Sequence, residues 1–237
     1  MKRRGVFELV GAAAIGTIVG YYAGAKELLG IQSSTPAPAS SRAPETSTEP
    51  ASDGRGGPRT TDGAFVDEFE RERVDPLVAV DGSVDEWTVE DGLDGQSLTG
   101  SDVASSVAYD PGTYEWSGDR RIAVAFEVND AYEKGSALVD FYADDVRWQA
   151  DCGVAAGEFV LRKSDASRAP QRVELEVDAR AEHELVVDVT GATVAVTVDG
   201  DRVTEYEAAS PLGPGTVGFS VRDDTETSFD NVRVEDR

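Results

Sequence analysis

The stretch His183–Gly200, HELVVDVTGATVAVTVDG, decides how this chain is read. Leu185, Val187 and Val189 recur at every second position, and Val194, Val196 and Val198 do the same after Gly191. A period of two puts alternate side chains on opposite faces of an extended strand, so both runs predict strands half buried against a core. The VDGD at Val198–Asp201 supplies a tight-turn signal.

The same period recurs to either side. RIAVAFEV aligns Ile122, Val124, Phe126 and Val128; RVELEVDA aligns Val173, Leu175, Val177 and Ala179; TVGFSVR aligns Val217, Phe219 and Val221. Turn signals separate the runs, among them Asp144-Asp145 and PLGPG at Pro211–Gly215. No comparable helical period follows the N-terminal segment. About a dozen short strands predict an all-β fold over 64–237, one antiparallel β-sandwich of jelly-roll type. A domain of that length buries about 70% of its unfolded surface.

The chain has 237 residues and a net charge of −24, from 46 acidic and 22 basic residues. Its lysines are Lys2, Lys26, Lys134 and Lys163. Acid-rich, lysine-poor surfaces suit a halophile's solvent, since at 1 M salt the screening length falls to about 3 Å and self-repulsion fades. The same charge argues against a nucleic-acid partner, which requires clustered Lys and Arg. A single cysteine, Cys152, excludes an internal disulfide and a thiolate metal cluster, and its apolar surroundings predict a buried, inert thiol.

At the N-terminus, MKRR precedes the uncharged, mostly apolar run Leu9–Ala25. Residues 1–31 read as an export signal or a transmembrane anchor. AGA at Ala23–Ala25 offers a small-residue cleavage site that would release the protein. Uncleaved, the run spans about 25 Å as a helix, a short single anchor with its basic residues inside. RRGVF at Arg3–Phe7 resembles a twin-arginine export signal. Residues 32–63 are rich in Ser, Thr, Pro and Ala and predict a disordered stalk. The expected location is therefore the cell surface or the medium.

FVDEFE at Phe65–Glu70, EWTVEDG at Glu86–Gly92 and the closing run His183–Asp236, ending in FDNVRV, resemble concanavalin A-like lectin and glucanase domains, in particular the laminin-G-like and 3-keto-disaccharide-hydrolase type. The resemblance implies that the first and last strands pair, with a bulge at Asp230-Asn231 where the apolar phase slips. It also implies a structural Ca²⁺ near that edge, with Asp230 as a ligand. The functions it implies are carbohydrate binding, glycoside hydrolysis or adhesion to a protein partner.

Two candidate sites follow. Glu176-x-Asp178-x-x-x-Glu182 has the acid spacing of retaining β-sandwich glycosidases, whose two main carboxyls stand about 5 to 5.5 Å apart. Its neighbours Arg172, Glu174 and Arg180 are an ordinary charge alternation, so Glu176 and Asp178 read as a solvated strand face rather than a catalytic pair. The hairpin ALVDFYADDVRWQADC is the better candidate. A turn at Asp144-Asp145 sets Phe141 opposite Trp148 on the core side. On the other side Tyr142 faces Arg147 and Asp140 faces Gln149, with Arg162 alongside. An aromatic ring beside Asp, Gln and Arg is what a carbohydrate-binding face requires. Trp87, Trp116 and the lone His183 read as structural. The expected activity is binding of carbohydrate or another surface polymer, without chemistry.

Overall fold

The computed structural model describes residues 57–237 apart from 62, 72, 93–94, 102–103, 113, 130–134, 145, 166–168 and 223–224. The export segment and residues 32–56 of the expected stalk lie outside the described residues. Among the described residues, no helix is long and apolar enough to cross a membrane.

Sixteen strands follow one another in the described chain. They are β1 (Arg59–Thr61), β2 (Ala64–Asp67), β3 (Leu77–Asp81), β4 (Trp87–Asp91), β5 (Gln96–Ser101), β6 (Ser105–Tyr109), β7 (Arg120–Val128) and β8 (Ala137–Ala143), then β9 (Val146–Gly153), β10 (Glu158–Lys163), β11 (Gln171–Glu174), β12 (His183–Thr190), β13 (Thr193–Val198), β14 (Asp201–Glu207), β15 (Gly215–Val221) and β16 (Glu226–Asp236). All pair antiparallel. The first sheet runs β1-β2-β16-β7-β12-β13-β14, with β5 beside β16 and β4 beside β5; the second runs β11-β10-β9-β8-β15-β6-β3. Strand β1 falls within the stretch read as stalk, and its three residues are exposed.

The alternating apolar residues meet between the sheets. Val187, Val196, Phe126 and Phe229 from the first sheet and Val139, Phe141, Trp148 and Phe219 from the second belong to one buried cluster. Phe219 meets Phe229 across the core with ring centres 4.9 Å apart, and Trp148 meets Tyr206 edge-on at 5.0 Å. Trp87, Trp116 and Cys152 are buried, and burial pushes the Cys152 thiol well above its usual range.

A polar group also ties the two sheets together. Asp67 of β2 accepts from the Tyr109 hydroxyl of β6 at 2.8 Å and from both terminal nitrogens of Arg71. Burial, then the adjoining Asp67 charge, pushes the Tyr109 phenol far up.

The first and last strands pair as implied, Phe65 with Val234 and Asp67 with Val232. The β16–β7 register slips between Asp230 and Arg233, and Asn231 takes a positive φ of 49°. One expectation fails. The run 171–179 is a strand only to Glu174, because β10, its sole partner, begins at Glu158 opposite Glu174. Beyond that point the Gly157 carbonyl takes the Leu175 N–H and no ladder remains to continue. Glu176 and Asp178 therefore sit in a connection, not on a strand face.

Candidate functional site

Strands β8 and β9 form the hairpin with the register the turn dictates: Phe141 pairs with Trp148, Tyr142 with Arg147 and Asp140 with Gln149. Asp144 at the turn adopts a positive φ of 51°. Strand β10 adds Arg162 opposite Gln149. The alternation that sends Phe141, Trp148, Ala150, Phe159 and Leu161 into the core sends Asp140, Arg147, Gln149, Asp151 and Arg162 to the outer face of the second sheet.

On that face the polar side chains form a connected chain. Ser220 donates to Asp140, and Gln149 Nε2 donates to the other oxygen of Asp140 at 3.0 Å. Arg162 donates to Gln149 Oε1 at 3.1 Å and to Asp151 Oδ2 at 2.7 Å. Arg222 also donates to Asp151 Oδ2. Ser220 and Arg222 stand two residues apart at the end of β15, so the chain closes into a ring around Leu138 of β8. Arg147 lies across it, reaching Asp140 at 2.7 Å and Ser220 at 2.6 Å. Tyr142 borders the ring, half-buried, between Arg147 and Thr216.

Burial grades across the ring. Asp140 is fully buried and Asp151 is 2% exposed. The side chains of Arg147, Arg162 and Arg222 are 19%, 33% and 41% exposed. The carboxylates thus form a sunken layer and the guanidinium groups an accessible one. Burial works against the charge of Arg147, yet Asp140 beside it holds its pKa above the ordinary value. Burial lifts the Asp151 carboxyl, and Arg222 and Arg162 only partly offset this.

The sequence brought Asp140, Tyr142, Arg147, Gln149 and Arg162 together, and the structure places them on one surface. It missed Asp151, Ser220 and Arg222. Asp151 carried a local signal, being two residues beyond Gln149 on the same face. Ser220 and Arg222 carried none, because β15 pairs with β8 from 80 residues away.

The other candidates lie apart. Glu176 is exposed, and Asp178 closes a turn, its Oδ1 accepting from Arg180 N at 3.1 Å. The Asp178 carbonyl accepts from His183 Nε2 at 2.7 Å, and His183 Nδ1 meets Asp199 at 2.8 Å, so the lone histidine fastens this turn at the start of β12. Asp230 lines a shallow cleft with Ser97, Glu127, Glu182 and Ser228. Its carboxyl is raised to about 6 by burial, with Glu182, Glu70 and Glu68 adding to the rise against the Asn231 N–H. Among the described residues, no three His, Cys, Asp or Glu side chains converge as metal ligands.

No family model and no curated protein matches this chain. Solved structures do. The carbohydrate-binding module CBM66 from Bacillus subtilis is 19% identical with a TM-score of 0.52, over 68% of this chain and 95% of that one. The Crh5 transglycosylase in its apo form is 14% identical with a TM-score of 0.56, over 77% of this chain and 87% of its own. LamAcat from Zobellia galactanivorans is 12% identical with a TM-score of 0.53, over 73% and 96%. At these identities the likeness is one of fold alone, an antiparallel β-sandwich found in binding modules and enzymes alike.

Proposed function

We propose that this protein is an exported module, membrane-anchored or secreted, that binds carbohydrate or another surface polymer without cleaving it. The observation that carries the reading is the polar ring of Asp140, Gln149, Arg162, Asp151, Arg222 and Ser220, whose arginines reach solvent above sunken carboxylates. Preset donors and acceptors beside an aromatic ring suit sugar hydroxyls, and the ring comes already assembled. The fold's neighbours include a carbohydrate-binding module, which fits the same reading. The N-terminal segment would hold the domain at the membrane or release it, and the domain would work outside the cell in concentrated salt.

The test uses the full chain, immobilised in multimolar salt, with defined glycans passed over it. Retention with unchanged glycan length supports binding without chemistry. Shortened glycans with new reducing ends favour a second reading, glycoside hydrolysis, which one observation supports: the raised Asp230 carboxyl shares its cleft with Glu182. We carry calcium at Asp230 as a further part of the proposal. A chelator that lowers the melting temperature of the full chain, with calcium restoring it, would support that part; an unchanged melting temperature would remove it.

A further inference from the structure

The cleft at Asp230 has its origin in the strand pattern. Leu98 of β5 pairs with Phe229 of β16 and both enter the core, so Ser97 and Asp230 share the outer face of the first sheet. On its other flank Asp230 pairs with Ala125 of β7, whose methyl group leaves a hollow between taller neighbours. His183 pairs with Phe126, which sets Glu182 beside Glu127 one step further along. The hollow measures about 20 Å³, room for one water-sized group.

Two observations say what kind of group enters it. The first is charge. Farther along the same sheet, Asp188 answers Arg121 and Arg237. Among the described residues, no Lys or Arg reaches Asp230, Glu127 or Glu182. Asp230 is half-buried, and its donors within the protein are the Asn231 N–H at 2.6 Å and Asn231 Nδ2 at 3.4 Å. Glu182, Glu70 and Glu68 stand close enough to repel its carboxylate. The second observation is Ser97, which lines the same cleft, is 4% exposed, and has an Oγ with no hydrogen-bond partner. A buried hydroxyl without a partner is costly. No bond holds this one, so rotation about χ1 can turn it toward an entering group.

We infer that this cleft takes one primary ammonium group, which donates to the Asp230 carboxylate and the Ser97 hydroxyl and offsets the charges of Glu127 and Glu182. An ammonium carries three N–H donors and no acceptor, in a head the size of a water molecule. A guanidinium is larger than the hollow, and a carboxylate or sulfate meets three like charges. Because Asp230 is half-buried, its attraction for a cation is screened less by salt than that of a fully exposed acid. The cleft lies on the other sheet from the polar ring, and the assignment does not rest on the carbohydrate reading.

The full chain tests this through its amide NMR signals, at neutral pH and constant ionic strength. Calcium at Asp230 would compete for the cleft, so divalent ions are first removed with a chelator. Methylammonium chloride replaces part of the sodium chloride in one series, and tetramethylammonium chloride, which has the charge without the N–H groups, in another. Methylammonium should shift the Ser97, Glu127, Glu182 and Asp230 signals saturably, and tetramethylammonium should not. Asp230→Asn should weaken that response about tenfold or more, the scale of a hydrogen bond to a charged group. Ala125→Leu keeps every charge and fills the hollow, and should abolish it. An unchanged far-ultraviolet circular dichroism spectrum verifies each fold first, and the near-isosteric Asp230→Asn decides the matter if Ala125→Leu misfolds. Equal shifts from both salts, or a full response in folded Ala125→Leu, would make the cleft a diffuse acidic surface and overturn the assignment. No response to methylammonium, or a response to calcium alone, would also overturn it. A glycan with free amino groups, compared with its N-acetylated form, then identifies the source. Retention of the first alone places the amine on a polymer; retention of neither, with the methylammonium response intact, makes the ligand a small amine. Failure of the polar ring to retain neutral glycans leaves this assignment standing.

Discussion

Two acid–arginine clusters sit in this sandwich and use the same chemistry to different ends. Between the sheets, Asp67 is fully buried, and the Arg71 side chain that answers it is only 9% exposed. On the outer face of the second sheet, Asp140 and Asp151 are as deeply buried, but their arginines rise to 41% exposure. The first cluster joins β2 to β6 through Tyr109. The second spans β8, β9, β10 and the end of β15 and leaves its cations at the surface. Carboxylate burial is equal in the two; what differs is the exposure of the cation, on which the proposed binding face rests.

The largest effect should come from Asp67→Ala, which strands a buried Arg71 and removes the acceptor of Tyr109. Breaking a buried pair by removing one partner costs about 3–5 kcal/mol, and denaturant unfolding should show a loss of that size. Asp151→Asn should cost less, about 1–3 kcal/mol, because both partner arginines can turn to water. If the Asp151 variant were the more damaging of the two, the contrast between pin and face would fail.

The Asp230 cleft gives a pH-dependent prediction. Its carboxyl holds a proton more tightly in the folded chain, near pH 6, than at its ordinary value of 3.8. The stability it contributes is therefore present below about pH 4 and lost as pH rises through about 6. Asp230→Asn lacks that loss. Its melting temperature relative to the parent chain should climb between pH 4 and 6 and level off above. A flat difference across that range would remove Asp230 as a perturbed group. The smallest effect belongs to Glu176→Gln. Exposed on an irregular connection, it should change unfolding free energy by less than about 0.5 kcal/mol and leave glycan retention as it was.

The same contrast marks what could be read from sequence. The β8–β9 register was legible because a tight turn and a two-residue alternation fix it locally. The bulge at Asp230-Asn231 was legible because the apolar phase of β16 slips there. The end of β11 was not, since Val173, Leu175 and Val177 keep alternating past the point where β10 has no residue left to pair. Neither cluster was complete in the sequence. Asp67 and Tyr109 lie 42 residues apart, and Asp140 and Ser220 lie 80 apart, and both pairs exist only through non-local strand order.

The most direct test of the proposed binding face is glycan retention by the full chain and by its Arg162→Ala, Arg222→Ala double variant, with unfolding free energy measured on both. Asp151 is buried, and without both arginines its carboxyl is left lacking donors, so the double variant should lose about 1–3 kcal/mol, less than Asp67→Ala. The double variant is expected to keep its fold and lose retention. Retention that survives in the double variant would place binding elsewhere. A loss of stability as large as that of Asp67→Ala would make the outer ring a second structural pin.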